Sequence, residues 1–192
     1  MRKRAEQIDE TRQRITEAAV RLHTSVGPAH TTISGVADEA GVTRLTVYRH
    51  FDDLDALFVA CMGHWNTLNP GPDVEAWAAI GSLDTRATRA FAELYAWYEA
   101  RHEELYPIYR DQSAMPESAQ VAMAAQIDGL ATVISGPEGT DEPVRVAVAR
   151  HLVDFWTWRS LVVERGLEVE QAADAAVAML LAVGSPAEAA SS

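Results

Sequence analysis

The chain contains one cysteine, Cys61, in 192 residues. A lone thiol excludes an internal disulfide and any zinc site built from cysteines alone. Long apolar runs are also missing. The longest uncharged apolar run in the C-terminal region, Ala175 to Val183, has nine residues. A helix needs about 20 to span a bilayer, so no membrane partner is expected. After Met1-Arg2-Lys3-Arg4 the sequence continues Ala5-Glu6-Gln7-Ile8-Asp9-Glu10, without an apolar signal core, which implies a cytoplasmic chain. Catalytic signatures are missing too. None of the six histidines (His23, His30, His50, His64, His102, His151) forms an HExxH or His-x-His pair. Neither a G-x-S-x-G elbow nor a Walker loop occurs. His151 and Asp154 form one weak i, i+3 pair. No enzyme, metal or cofactor is expected, and no internal repeat is found.

Positive charge is scarce: 16 Lys+Arg stand against 28 Asp+Glu, net -12. The deficit is uneven. Residues 1–64 hold eight bases and nine acids, while residues 65–192 hold eight bases and 19 acids. Five of the first eight bases lie in residues 2–14. A basic arm on a near-neutral segment could meet DNA, with the acidic remainder held off it. On charge alone, a solvated helix start with no partner fits as well. With 48% hydrophobic residues, the chain can build a core, and global disorder is excluded.

The apolar spacing predicts an all-α chain of about nine helices. Ile15, Ala18, Ala19, Leu22 and Val26 form one stripe, stopped by Gly27-Pro28. Thr31 or Thr32 caps a helix over Ile33 to Ala40, with Ile33, Val36, Ala37 and Ala40 inward. Gly41 breaks it. Thr43 caps a short helix to His50, and Asp52 or Asp53 caps a fourth with Leu54, Leu57, Phe58 and Cys61 on one face. Beyond the loop Asn69–Asp73, helices are expected over Asp84–Glu104, Glu117–Ile134, Glu142–Arg165 and Glu168–Val183. The domain boundaries are set at 1–62, 63–185 and a flexible tail, 186–192.

Thr31 to Leu57 reads TTISGVADEAGVTRLTVYRHFDDLDAL. Two short helices joined at Ala40-Gly41-Val42 make a helix-turn-helix, because glycine lets the chain reverse in three or four residues. Val47 and Phe51, at i and i+4, would pin the second helix to the core. Arg44, Leu45, Thr46, Tyr48, Arg49 and His50 stay available. A short helix of this kind fits the major groove, roughly 12 Å wide. Thr43 and Thr46 can bond a phosphate or base edge, Arg44 can read guanine, and Leu45 can touch a thymine methyl. Tyr48 could instead pack partly into the core, and Arg49 and His50 could simply be solvated.

These residues, from Thr11-Arg12 and Ile15 through Ala18-Ala19, Gly27, Thr31-Thr32-Ile33, Val36-Ala37, Ala40-Gly41-Val42-Thr43 and Thr46-Val47-Tyr48-Arg49-His50-Phe51 to Leu57, resemble the tetracycline-repressor-like (TetR) family of bacterial transcription regulators. The resemblance covers about residues 11–60. It implies a three-helix DNA-binding domain, followed by a helical ligand-binding and dimerisation domain matched by architecture alone. It places Tyr48, His50 and Thr31 or Thr32 on phosphates. One departure stands out: many members carry Lys where this chain has Leu54, and Asp52-Asp53 precede it. The basic arm Arg2, Lys3, Arg4 could compensate from the adjacent minor groove.

Eight of the 14 aromatics lie between Trp65 and Tyr109. Such rings either fill a core or line a ligand pocket. The resemblance implies a pocket for a small lipophilic or aromatic effector, with candidates Trp65, Tyr95, Tyr98, His102, Tyr106, His151 and Phe155. The helix from Glu142 is apolar on two sides, and the last helix is rich in small residues. Either both faces lie in one core, or one faces a partner chain in a homodimer, through Val153, Trp156, Val163, Ala172, Ala176 and Met179. The implied protein is a regulator, with repression the family tendency, that binds a double-stranded DNA operator and leaves it when effector binding shifts the fourth helix. The alternative is a TetR-like interaction protein that has lost sequence-specific DNA binding.

Overall fold

The computed structural model describes residues 2–136 and 143–183. The expected flexible tail lies outside them. Every regular element among the described residues is helical. Among the described residues there are eleven α-helices, where about nine were expected. They fall into two compact units: residues 1–70 with 101–123, and residues 71–100 with 124–192. The chain therefore does not divide once near residue 62; a later segment joins the first unit.

In the first unit, α1 (Arg2–Ser25) packs on α2 (Ile33–Ala40), on α4 (Leu54–Leu68) and on α7 (His102–Arg110), while α3 (Arg44–His50) packs on α2. The backbone of Arg2 to Arg4 is the first turn of α1, so the expected arm is helical. Ile15, Ala18 and Ala19 are fully buried and meet Val36, Ala37, Val47, Phe51, Leu57 and Cys61 in one core. Val26, expected to complete the stripe, is 44% exposed, because α1 ends at Ser25. Leu54, expected inward, is 57% exposed at the start of α4. The stop at Gly27 is tighter than a helix cap requires. Its φ is +95°, and a Cβ there would lie 2.2 Å from Asp111 Oδ2. Asp111 accepts the Ala29 N–H at 3.1 Å and pairs with Arg110 at 2.7 Å. Arg110 in turn donates to the Val26 carbonyl at 2.8 Å. The hydrogen bond from Arg110, helped by that from Ala29, holds the Asp111 carboxyl below its ordinary value despite burial.

In the second unit, α11 (Val169–Ala182) lies along α6 (Leu83–Glu99). Ala172, Ala173, Ala176 and Leu180 are buried in that unit, where small side chains let backbones approach. This corrects part of the expected partner face: Val153, Ala172 and Ala176 have no exposed surface left to offer another chain. The short helix α5 (Val74–Ala78), not expected from the sequence, is capped by Asp73, whose Oδ1 accepts the Ala76 N–H at 3.0 Å. It carries the fully buried Trp77, whose ring N–H donates to Glu93 at 2.7 Å.

Two expected long helices are broken. The first ends at Glu99, and Arg101 opens α7, with its Nε donating to Asn69 Oδ1 at 3.2 Å. The second divides into α9 (Pro143–Leu152), α10 (Phe155–Arg159) and a π-helical turn, Ser160–Glu164. At that break Asp154 caps α10, its Oδ1 accepting the Trp156 N–H at 2.8 Å. The C-terminus of α8 (Glu117–Ser135) is closed by Arg86, which is 2% exposed. Its guanidinium donates to the carbonyls of Ile134 at 3.0 Å, Ser135 at 3.3 Å and Ile80 at 2.6 Å. A planar fork of five donors suits this task; an ammonium does not.

Candidate nucleic-acid interface

The helix-turn-helix is built from local caps. Thr32 Oγ1 accepts the Gly35 N–H at 3.0 Å and starts α2. Gly41 ends it in the left-handed region at φ +65°, where glycine carries no Cβ penalty. Thr43 Oγ1 accepts the Thr46 N–H at 3.2 Å and starts α3. Asp53 Oδ1 accepts the Ala56 N–H at 2.7 Å and starts α4. Each helix therefore begins where its capping side chain stands, as the sequence implied.

The anchoring of α3 is one-sided. Val47 and Phe51 are 1% and 3% exposed, whereas Leu45 is 60% and Tyr48 49% exposed. Arg44 and Arg49 are exposed as well, and Thr46 and His50 are half-buried. Among the described residues, the side chains of Arg44, Leu45, Tyr48 and Arg49 make no hydrogen bond or ion pair. Partial core packing of Tyr48 is therefore not what the fold does with it. Thr43 and Thr46 share a hydroxyl–hydroxyl hydrogen bond at 2.9 Å on the same exposed turn. Thr31 is spent locally, its hydroxyl donating to the Gly27 carbonyl at 2.9 Å.

Sequence reasoning missed the role of Arg12. Its guanidinium lies 4.1 Å from the centroid of the Phe51 ring and donates to the His50 carbonyl. It thus caps the C-terminus of α3 from α1, with a cation over an aromatic face and a positive charge at the negative helix end. The signal was long-range, 38 positions apart in sequence. Arg21 pairs with Glu39 at 2.7 Å and ties α1 to α2. Two of the N-terminal bases thus hold the scaffold, while Arg44 and Arg49 face outward from α3. The first turn of α4 is acidic, with Asp52 and Asp53 before the exposed Leu54 and Asp55 after it.

The family model for bacterial regulatory proteins of the tetR family matches residues 15–61. Over those residues the chain is similar to that family. It is 42% identical over 57 residues to the HTH-type transcriptional regulator AcrR of Shigella flexneri, covering 30% of this chain and 26% of that protein. It is 38% identical over 85 residues to the HTH-type transcriptional regulator SrpR of Pseudomonas putida, covering 41% of this chain and 40% of that one. The match thus spans about a quarter to two fifths of the length of these relatives. The fold likeness runs further. The solved structure of the multidrug binding protein EbrR complexed with imidazole aligns with a TM-score of 0.62 at 22% identity, over 89% of each chain.

The expected effector residues are divided between the two units. Trp65, His102 and Tyr106 belong to the first unit; Tyr95, Tyr98, His151 and Phe155 belong to the second. Trp65 is 4% exposed and donates its ring N–H to Glu104 at 2.7 Å. Tyr95 and Tyr98 are buried, and their hydroxyls donate to the Leu152 and Val153 carbonyls at 2.8 Å each. Burial holds the Tyr95 phenol well above its ordinary pKa. Phe155 is fully buried, 5.5 Å from the Tyr98 ring centroid. These three rings build the core of the second unit. His102 and Tyr106 are half-buried and His151 is exposed. Of the expected partner-facing residues, Trp156, Val163 and Met179 are 40%, 44% and 43% exposed. No group of three metal-binding side chains occurs among the described residues, and none of their helices is long and apolar enough to cross a membrane.

Proposed function

We propose that the chain is a DNA-binding transcription regulator that reads an operator through α3. The observation that carries this reading is the one-sided seating of α3: Val47 and Phe51 fixed in the core, with Arg44, Leu45, Tyr48 and Arg49 exposed and unpaired. Arg44 at the first position of the helix is the base-reading group; a bidentate arginine–guanine contact discriminates by about 1–3 kcal/mol. Leu45 offers apolar contact to a thymine methyl. Thr43, Thr46, Tyr48, Arg49 and His50 supply phosphate contacts, with Thr32 at the start of α2; Thr31 contributes through its remaining acceptor capacity.

A homodimer presents two such helices to two half-sites. Trp156, Val163 and Met179 are the exposed apolar side chains available for that face. A small lipophilic or aromatic effector relieves repression, provided it prefers the DNA-incompetent state. The likeness in fold to EbrR, a multidrug binding protein, supports this class of ligand. The interaction-protein reading is favoured by one observation, the acidic start of α4 around Leu54.

Fluorescence anisotropy on the DNA upstream of the chain's own gene separates the two. A regulator binds tightly with steep salt dependence, and Arg44→Ala loses about ten- to a hundredfold. Salt-independent or absent binding, or an Arg44→Ala variant that binds like wild type, overturns the reading.

A further inference from the structure

The recognition helix is short, and its direction has to be set from outside it. α3 runs seven residues, Arg44–His50, about 10 Å. The one buried side chain within it is Val47, at the middle, three residues from either end. A helix seated at its centre can still rock about that point. Its first end is tied to α2 by the turn at Gly41, where the Val42 N–H donates to the Ala37 carbonyl at 2.9 Å. Its other end meets Arg12.

Arg12 is held in place by the core next to it on α1. Ile15, Ala18 and Ala19 are fully buried, and the hydroxyl of Thr16, 7% exposed, donates to the Arg12 carbonyl at 3.0 Å. From that fixed base the guanidinium donates to the His50 carbonyl and lies over the ring of the buried Phe51. Arg21, Arg89, Arg110 and Arg150 are each paired with a carboxylate. Arg12 is not. Among the described residues, the last carbonyl of α3 and the ring that follows it are all that its guanidinium meets.

We infer that Arg12 is a positioning residue for sequence reading: it fixes the tilt of α3 about Val47, and with it the place where Arg44 meets its base. Arg44 and His50 each stand about 4.5 Å from Val47 along the helix axis. A shift of about 1 Å at His50 therefore returns as about 1 Å in the opposite direction at Arg44, beyond the roughly 0.5 Å that a precisely placed contact tolerates. Arg12 itself reads no base and touches no phosphate.

This inference rests on the operator reading of α3 proposed above, and the test lets the two fail separately. Fluorescence anisotropy of the full chain is measured across salt on the duplex upstream of its own gene and on a shuffled duplex of equal length and composition. The ratio of the two affinities is read, because a partly unfolded sample lowers both alike. Arg12→Met should reduce the ratio by about three- to tenfold, part of a full arginine–guanine contact, and leave the salt slope unchanged. In an Arg44→Ala background the same substitution should cost less than about twofold, since the residue through which Arg12 acts is gone. Arg12→Lys, which restores a donor and the charge, should recover at least half of the loss. If the methionine protein does not fold, Arg12→Gln is measured in the same cycle and should show the same pattern. A wild type without preference for its own duplex overturns the operator reading and this inference with it. A wild-type preference that survives Arg12→Met overturns this inference alone. So does a salt slope lowered by about 0.9, the mark of a lost phosphate contact. An equal loss in the Arg44→Ala background, or a lysine variant no better than methionine, has the same consequence.

Discussion

Replacing Gly27 by alanine tests how the end of α1 is held. The residue has φ +95° and ψ 161°, a region essentially reserved for glycine, where an L side chain costs about 1–3 kcal/mol. The new Cβ would also stand 2.2 Å from Asp111 Oδ2 and 2.6 Å from Arg110 Nη2. Asp111 cannot swing away freely. It is 8% exposed and holds the Ala29 N–H at 3.1 Å. Losing that buried hydrogen bond costs about a further 1–3 kcal/mol, so Gly27→Ala should destabilise the first unit by about 2–6 kcal/mol. Native-state hydrogen exchange on the amides of α1 and α2 reads this unit separately from the second. Asp111→Ala alone should cost about 1–3 kcal/mol for the same bond. The double variant should fall short of the sum by about 1 kcal/mol or more, because alanine at 27 has already displaced the carboxylate. A loss below about 1 kcal/mol for Gly27→Ala would refute the strain argument. Additivity within about 0.5 kcal/mol would refute the role given to Asp111.

Arg86→Met should destabilise the second unit by about 3–5 kcal/mol in hydrogen exchange of the α8 amides, since it strips the donors from three carbonyls, two of them at the end of that helix. Arg86→Lys should recover less than half of the loss, because an ammonium cannot reproduce the fork. Stability of the first unit should fall with acid in a defined window. The folded His23 pKa is depressed to about 4 from 6.5, so its contribution is whole above about pH 6.5, is lost as pH falls toward 4, and amounts to roughly 3 kcal/mol. In His23→Leu the stability difference between pH 7 and pH 4 should shrink by that amount; an unchanged pH profile would show that another group drives it. Leu54→Lys should tighten DNA binding and steepen the salt slope by about 0.9, the signature of one added phosphate contact, and an identical slope would mean that this position does not reach the backbone.

What could be read in advance follows from how local each signal is. Thr32, Gly41, Thr43 and Asp53 fix helix ends through contacts three residues away or through their own φ, so α2 and α3 begin and end where the sequence implied. The outward side chains of α3 were legible for the same reason, since Val47 and Phe51 at i and i+4 decide which are left outside. The breaks at Ala100–Arg101 and Val153–Asp154 were not. Ala, Arg and Val are not helix breakers, and Asp154 became a cap only because the chain turns there. A cap and a solvated helical aspartate look alike until the preceding residue leaves helical geometry. The alanines of α11 were ambiguous in another way. Small residues mark a close helix contact without naming the partner, and here the partner is α6 of the same chain.

That assignment narrows how a second copy can dock. With Val153, Ala172 and Ala176 buried at home, close backbone approach cannot be the basis of a dimer at those positions. A partner must instead cover larger side chains that are already partly exposed: Trp156, Val163 and Met179. Burying a tryptophan at the centre of such a face is worth more than burying alanines, because large aromatics dominate interface energetics. Trp156→Ser should therefore shift the protein toward monomer in sedimentation equilibrium, whereas Ala172→Ser should lower stability and leave the association constant alone. The reverse pattern, a dimer indifferent to Trp156 and dissociated by Ala172→Ser, would return the small-residue stripe to the interface and require α11 to leave α6.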